Sequence, residues 1–120
     1  MDPLPELADV QDLLTGVLVL DVARLSDSAV AQIAALRGVS GSVTMLDLDI
    51  PTDAPNLALS SPARRSFAEA VVVGDSGEEI GGIILWASNE RLSALEFYWY
   101  TDERPARLPR ANQLVAAVAH

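Results

Sequence analysis

A chain of 120 residues, half of them apolar, is sized for one compact domain with a real core and is too short for two independently stable ones. Its cations are eight arginines against 17 acids, a net charge of −9 that repels phosphate backbones and anionic lipid, so neither nucleic acid nor a membrane is expected as a partner. There is no cysteine or lysine, and the single histidine, His120, ends the chain, so thiolate, Schiff-base, histidine–zinc and Ser-His-Asp chemistry each lack an essential part. No catalytic residue, metal or cofactor is therefore expected, and carboxylates, hydroxyls and guanidinium groups remain as the available chemistry.

Asp2 and Pro3 suit the start of a helix, and Leu4, Leu7, Val10 and Leu14 recur at helical spacing, which predicts a first helix over residues 4–15. After Gly16, the run Val17, Leu18, Val19, Leu20 and Val22 reads as a buried strand or as more helix, the strand being preferred. No basic residue precedes Arg24, and the stretch Leu13–Ala23 is broken by Gly16 and Asp21 and is shorter than the ~20 residues a bilayer span needs. A cytoplasmic location is the expectation. Ser26-Asp27-Ser28 is a cluster of cap residues before Val30, Ile33, Ala34 and Leu36, and Arg37-Gly38 closes this second helix. Val43 to Ile50 alternates as a strand, with Asp47 and Asp49 on its solvent side as edge-strand charges, and Pro51 ends it.

Residues 51–65 hold three prolines among polar residues and read as a surface loop. Three strands follow as a meander, Phe67–Val73, Glu79–Ala87 and Leu92–Tyr100, joined by turns at Gly74–Gly77 and Ser88–Glu90. An unbroken ladder through the second turn sets Trp86 opposite Ser93, Ile84 opposite Leu95 and Gly82 opposite Phe97. That register gathers Ile80, Ile84, Trp86, Leu95, Phe97 and Trp99 on one core face. Pro105 and Pro109 keep the next segment extended, and Ala111–Ala119 reads as a short closing helix. The expected fold class is α+β, a mainly antiparallel sheet of four or five strands with the N-terminal helices on one face, all in a single domain.

Phe97-Tyr98-Trp99-Tyr100 places four of the six aromatic residues in one strand, and alternation sends the tyrosines away from the phenylalanine and tryptophan. Tyr98 and Tyr100, beside Glu96, are either covered by the helices or half exposed as a binding surface. Arg104 and Arg107, with Arg110, Arg64 and Arg65, are the basic clusters, fit either to clamp an anion or to pair with surface acids. The segment Arg91-Leu92-Ser93-Ala94-Leu95-Glu96, with Trp99, Thr101-Asp102-Glu103, Pro105 and Leu108-Pro109, resembles the C-terminal signature of a group of short uncharacterised bacterial α+β proteins. The resemblance implies a bacterial source and no activity, and Glu96 and the Thr-Asp-Glu turn would be structural in such proteins.

Function then follows from what the composition permits. The first expectation is a non-catalytic binding domain that recognises a protein partner or a second copy of itself, in one version an immunity- or antitoxin-like protein whose acidity matches a basic toxin. An enzyme using Glu96, Asp102 or Glu103 with an arginine clamp is the second. A carrier whose Trp86, Trp99 and tyrosines line a cavity under the helices is the third.

Overall fold

Helix α1 spans Leu7–Leu20 and buries Val10, Leu13, Leu14, Val17 and Leu18, the spacing of one helical stripe. The strand expected over residues 17–22 is therefore helix as far as Leu20. Gly16 does not stop it, because the missing side chain is where another element comes close: a Cβ there would lie 3.3 Å from both Ala111 Cβ and Leu114 Cδ1. The computed structural model describes residues 3–59 and 61–117, so the caps expected at Asp2 and the terminal His120 lie outside the described residues. Helix α2, Asp27–Ala34, begins as its sequence predicts, with Ser26 Oγ accepting a hydrogen bond from the Ala29 amide at 3.1 Å. Neither helix is long and apolar enough to cross a membrane.

Six strands follow: β1 Gly38–Ser42, β2 Met45–Asp49, β3 Arg65–Val73, β4 Glu79–Ser88, β5 Arg91–Trp99 and β6 Leu114–Ala116. They form one sheet in the order β1-β2-β5-β4-β3-β6, with every neighbouring pair antiparallel. The protein is thus α+β with an antiparallel sheet, but of six strands where the sequence led us to expect four or five. The two unforeseen strands are the edges. Gly-Val-Ser-Gly-Ser in β1 and the three residues of β6 lack the apolar alternation that announces a strand, as short, polar edges commonly do. The closing helix expected at residues 111–119 is a 3-10 turn at Ala111–Gln113 running into β6, with residues 118–119 outside the described part. β2 consequently lies one strand in from the edge.

The β4–β5 hairpin turns through Asn89 and Glu90, both with positive φ (52° and 64°), the geometry of a tight two-residue connection. Ser88 pairs with Arg91 and Ala87 with Leu92, as an unbroken ladder requires. Ser93 is then an extra residue, so Trp86 meets Ala94, Leu85 meets Leu95, Ile84 meets Glu96, Ile83 meets Phe97 and Gly82 meets Tyr98. The bulge moves the register by one, and a shift of one exchanges the faces. Ile83, Leu85 and Ala87, all buried, share the core face with Leu95 and Phe97, while Ile84 and Trp86, expected there, lie half-buried on the reverse.

Deleting Ser93 is expected to leave both faces as they are, since Leu92 then runs directly into Ala94, and to cost no more than about 1 kcal/mol in urea unfolding. Deleting Glu96 instead turns Phe97 outward, and unburying a side chain of that size costs about 2–3 kcal/mol before any other loss. Equal penalties for the two deletions would contradict the bulge assignment.

Both helices pack on the core face, α1 against β3, β4 and β6 and α2 against β5. The buried cluster runs through Leu14, Leu18, Ile33, Leu46, Val72, Ile83, Leu85, Leu92 and Leu95. The described residues between β2 and β3 have no regular secondary structure, as expected, yet the segment is tied down: Ala54 and Leu57 are buried, and the Leu57 amide donates to Glu90 O at 2.8 Å. Gln32 of α2, wholly buried, joins this segment to the hairpin. Its Nε2 donates to Pro55 O at 2.7 Å and Glu90 O at 3.1 Å, and its Oε1 accepts from the Leu92 amide at 2.9 Å.

Candidate functional site

With the helices on one side, the other face of the sheet carries no helix, and its side chains are those the register dictates. Across the strands one row reads Asp47, Ala94, Trp86 and Ser66, and the next Met45, Glu96, Ile84 and Glu69. A third row holds Tyr98, Gly82, Val71 and Val115. Ile84, Trp86, Tyr98 and Val71 are half-buried, while Met45, Val115 and Tyr100 are exposed. Apolar and aromatic side chains on a face with no covering layer are the kind of surface that proteins use to meet a partner.

Trp86 is held at both its edge and its face. Its Nε1–H donates to Glu96 Oε1 at 3.0 Å, and the Arg64 guanidinium stands over its ring, 4.7 Å from the centroid. Beside it the bulge opens a groove of about 260 Å³ between Met45, Asp47, Arg64, Ser88, Ser93 and Ala94. The ring of Tyr98 lies across Gly82, filling the place a side chain would take. Tyr98 and Tyr100 have ring centroids 5.8 Å apart and planes tilted by 55°. Burial first, then Tyr100 and the carboxylates of Glu69 and Glu79, hold the Tyr98 hydroxyl above its ordinary titration range, so it is a neutral donor at physiological pH.

Of the residues singled out from the sequence, Tyr98, Tyr100 and Glu96 come together on this face. Tyr98 is half-buried by its own sheet and not covered by the helices. Arg104 lies at its margin, with Nη2 donating to Thr44 Oγ1 at 3.2 Å in the β1–β2 turn. Arg107 is exposed further along, and no hydrogen bond or ion pair among the described residues ties it to the face. Among the described residues Arg104 and Arg107 do not pair with surface acids; the ion pair there is Arg37 with Asp49, at 2.9 Å.

Asp49 is thus engaged, and Asp47 stands exposed on the open face. Asp102 and Glu103 are exposed on the segment after β5, and the groove beside the bulge includes neither of them nor Glu96. Trp86 and the tyrosines project from the open face and Trp99 from the helix side, so the four do not line one cavity under the helices. Among the described residues no group of three or more acidic or histidine side chains is gathered as a metal would require.

Sequence reasoning missed Trp86, Ile84, Gly82 and Arg64 as members of the site. The signal for Gly82 was present, a glycine in a central strand opposite an aromatic strand, but an unbroken register paired it with Phe97 in the core.

Two helices on one side and an aromatic, acid-flanked sheet face on the other define a two-layer α+β protein with one layer left open. No known protein family, curated protein or solved structure matches the chain.

Proposed function

We propose that the protein is a non-catalytic interaction domain that docks a basic protein partner on its open sheet face. The observation that carries this reading is the face itself: Met45, Ile84, Trp86, Tyr98 and Tyr100 form an aromatic and apolar field on a layer that no other part of the described chain covers. Charge selects the partner. Asp47, Glu69, Glu79 and Glu96 stand on the face against Arg64 and Arg91, with Arg104 at the margin, on a chain whose net charge is −9. A second copy would bring the same acids against themselves, whereas a basic surface is steered in and neutralises them. An immunity- or antitoxin-like protein holding a basic toxin is one such pairing, and the acidity that favours it disfavours nucleic acid and membranes.

Photo-crosslinking inside the source cell, repeated in its lysate at set salt concentrations, tests the reading, with the label placed at Met45 on the open face and at Asp12 on the helix side. The expected result is an adduct from Met45 alone, with a partner rich in lysine or arginine, whose yield falls several-fold between about 50 mM and about 500 mM salt. An adduct with a second copy of the chain, adducts of equal yield from both positions, or a partner without a basic surface would each overturn it.

A further inference from the structure

We propose that Tyr98 and Tyr100, with Glu69 and Glu79 flanking them, form a binding site for an arginine side chain of the partner. This rests on the docking role of the open face and adds which group the partner must present.

The first support is the pair of rings. Planes tilted by 55° with centroids 5.8 Å apart make the two rings a wedge, with the Tyr98 ring lying over Gly82 and Tyr100 exposed to solvent. Aromatic faces are electron-rich and attract a cation placed over them.

The second is charge. Glu69 shares the face two residues from Val71, which pairs with Gly82 beneath the Tyr98 ring, and Glu79 pairs with Val73 at the same end of the sheet. Both carboxylates act electrostatically on the Tyr98 hydroxyl, so they are close enough to act on a cation held there. Neither is in an ion pair among the described residues.

The third is a precedent on the same face. Arg64 already occupies the position over the half-buried Trp86 ring at 4.7 Å, so an aromatic ring of this face takes a guanidinium from the chain itself. Among the described residues no arginine of its own stands over Tyr98 or Tyr100. A guanidinium suits the wedge better than an ammonium, since its plane stacks on one ring while its fork of N–H donors reaches a carboxylate.

The test is a titration with a short blocked peptide carrying one central arginine, against the same peptide with neutral citrulline, followed by NMR of the tyrosine rings and the Gly82 amide. The arginine peptide is expected to shift these signals with a dissociation constant in the millimolar range, about what one small cationic group supplies, and citrulline to leave them in place. Tyr100→Ala is expected to weaken binding about fivefold, Tyr100→Phe to keep it, and Glu69→Gln to weaken it about threefold. Tyr100 is 63% exposed, so none of its variants threatens folding. Equal shifts with citrulline, or no effect of Tyr100→Ala, overturn the arginine site. A response at Ile84 and Trp86 with both tyrosines silent overturns it too while leaving the docking face standing, and silence across the whole face counts against both.

Discussion

Replacing Gln32 with leucine is expected to cost about 3 kcal/mol or more of folding stability, the largest penalty for any single polar residue in this protein. Leucine nearly matches glutamine in volume, so little of the loss comes from a cavity. What it removes is the partner of the Pro55 carbonyl and the Leu92 amide, together with one of the two donors to Glu90 O, which keeps the Leu57 amide. A buried backbone group left without a partner costs about 1–3 kcal/mol, and the site is closed to water, since Gln32 is wholly buried. These groups belong to the long connection, the hairpin turn and the first residues of β5, so the consequences reach the open face. The turn sets where Ser93 bulges, and the bulge decides that Trp86 points outward. Urea unfolding followed by tryptophan fluorescence measures both effects. A loss below about 1 kcal/mol would show that the three segments hold together without the glutamine.

That dependence explains which parts of the molecule could be read from the sequence. The stripe of α1, the Ser26 cap and the three long strands were legible because each is a local pattern of burial or capping that every residue in the element repeats. Gly16 misled because the closeness of Ala111 and Leu114, which makes a glycine useful in mid-helix, is a contact across most of the chain's length. Ser93 misled more seriously. A bulge is an event in the backbone with no side-chain signature, and a serine followed by alanine gives no sign that one of them goes unpaired. Tyr98 and Tyr100 were still found, because alternation within a single strand separates them from Phe97 and Trp99 whatever the register of the neighbour. Trp86 and Ile84 were misplaced because their face depends on the hairpin, not on their own strand. The aromatic half of the site was therefore readable from one strand, and its centre only from the pairing of two.

Gly82→Val is expected to dismantle the tyrosine wedge while leaving the fold in place. A Cβ at this position overlaps the hydroxyl and ring of Tyr98, but those atoms end a flexible side chain on an uncovered face, so the ring swings out and the sheet does not have to move. Valine suits a strand better than glycine, which offsets most of the lost ring contact, and the net change in stability is expected within about 1 kcal/mol.

Two readouts should move together in this variant. Binding of the arginine peptide falls about fivefold or more, because the second ring no longer faces the first. The titration of Tyr98 also changes. In the native protein its folded-state value lies above the ordinary one, chiefly through burial and secondarily through Tyr100, Glu69 and Glu79. Its contribution to stability is therefore complete below about pH 10 and is lost as pH rises through the elevated value, since the folded state holds the proton more tightly than the unfolded chain. Freed from the sheet, the ring loses the burial that raised it, so tyrosinate absorbance appears at lower pH and the alkaline fall in stability becomes shallower. Weakened binding with an unchanged tyrosine titration would mean that valine acts through something other than the ring, and the wedge could not then be the place where the cation sits.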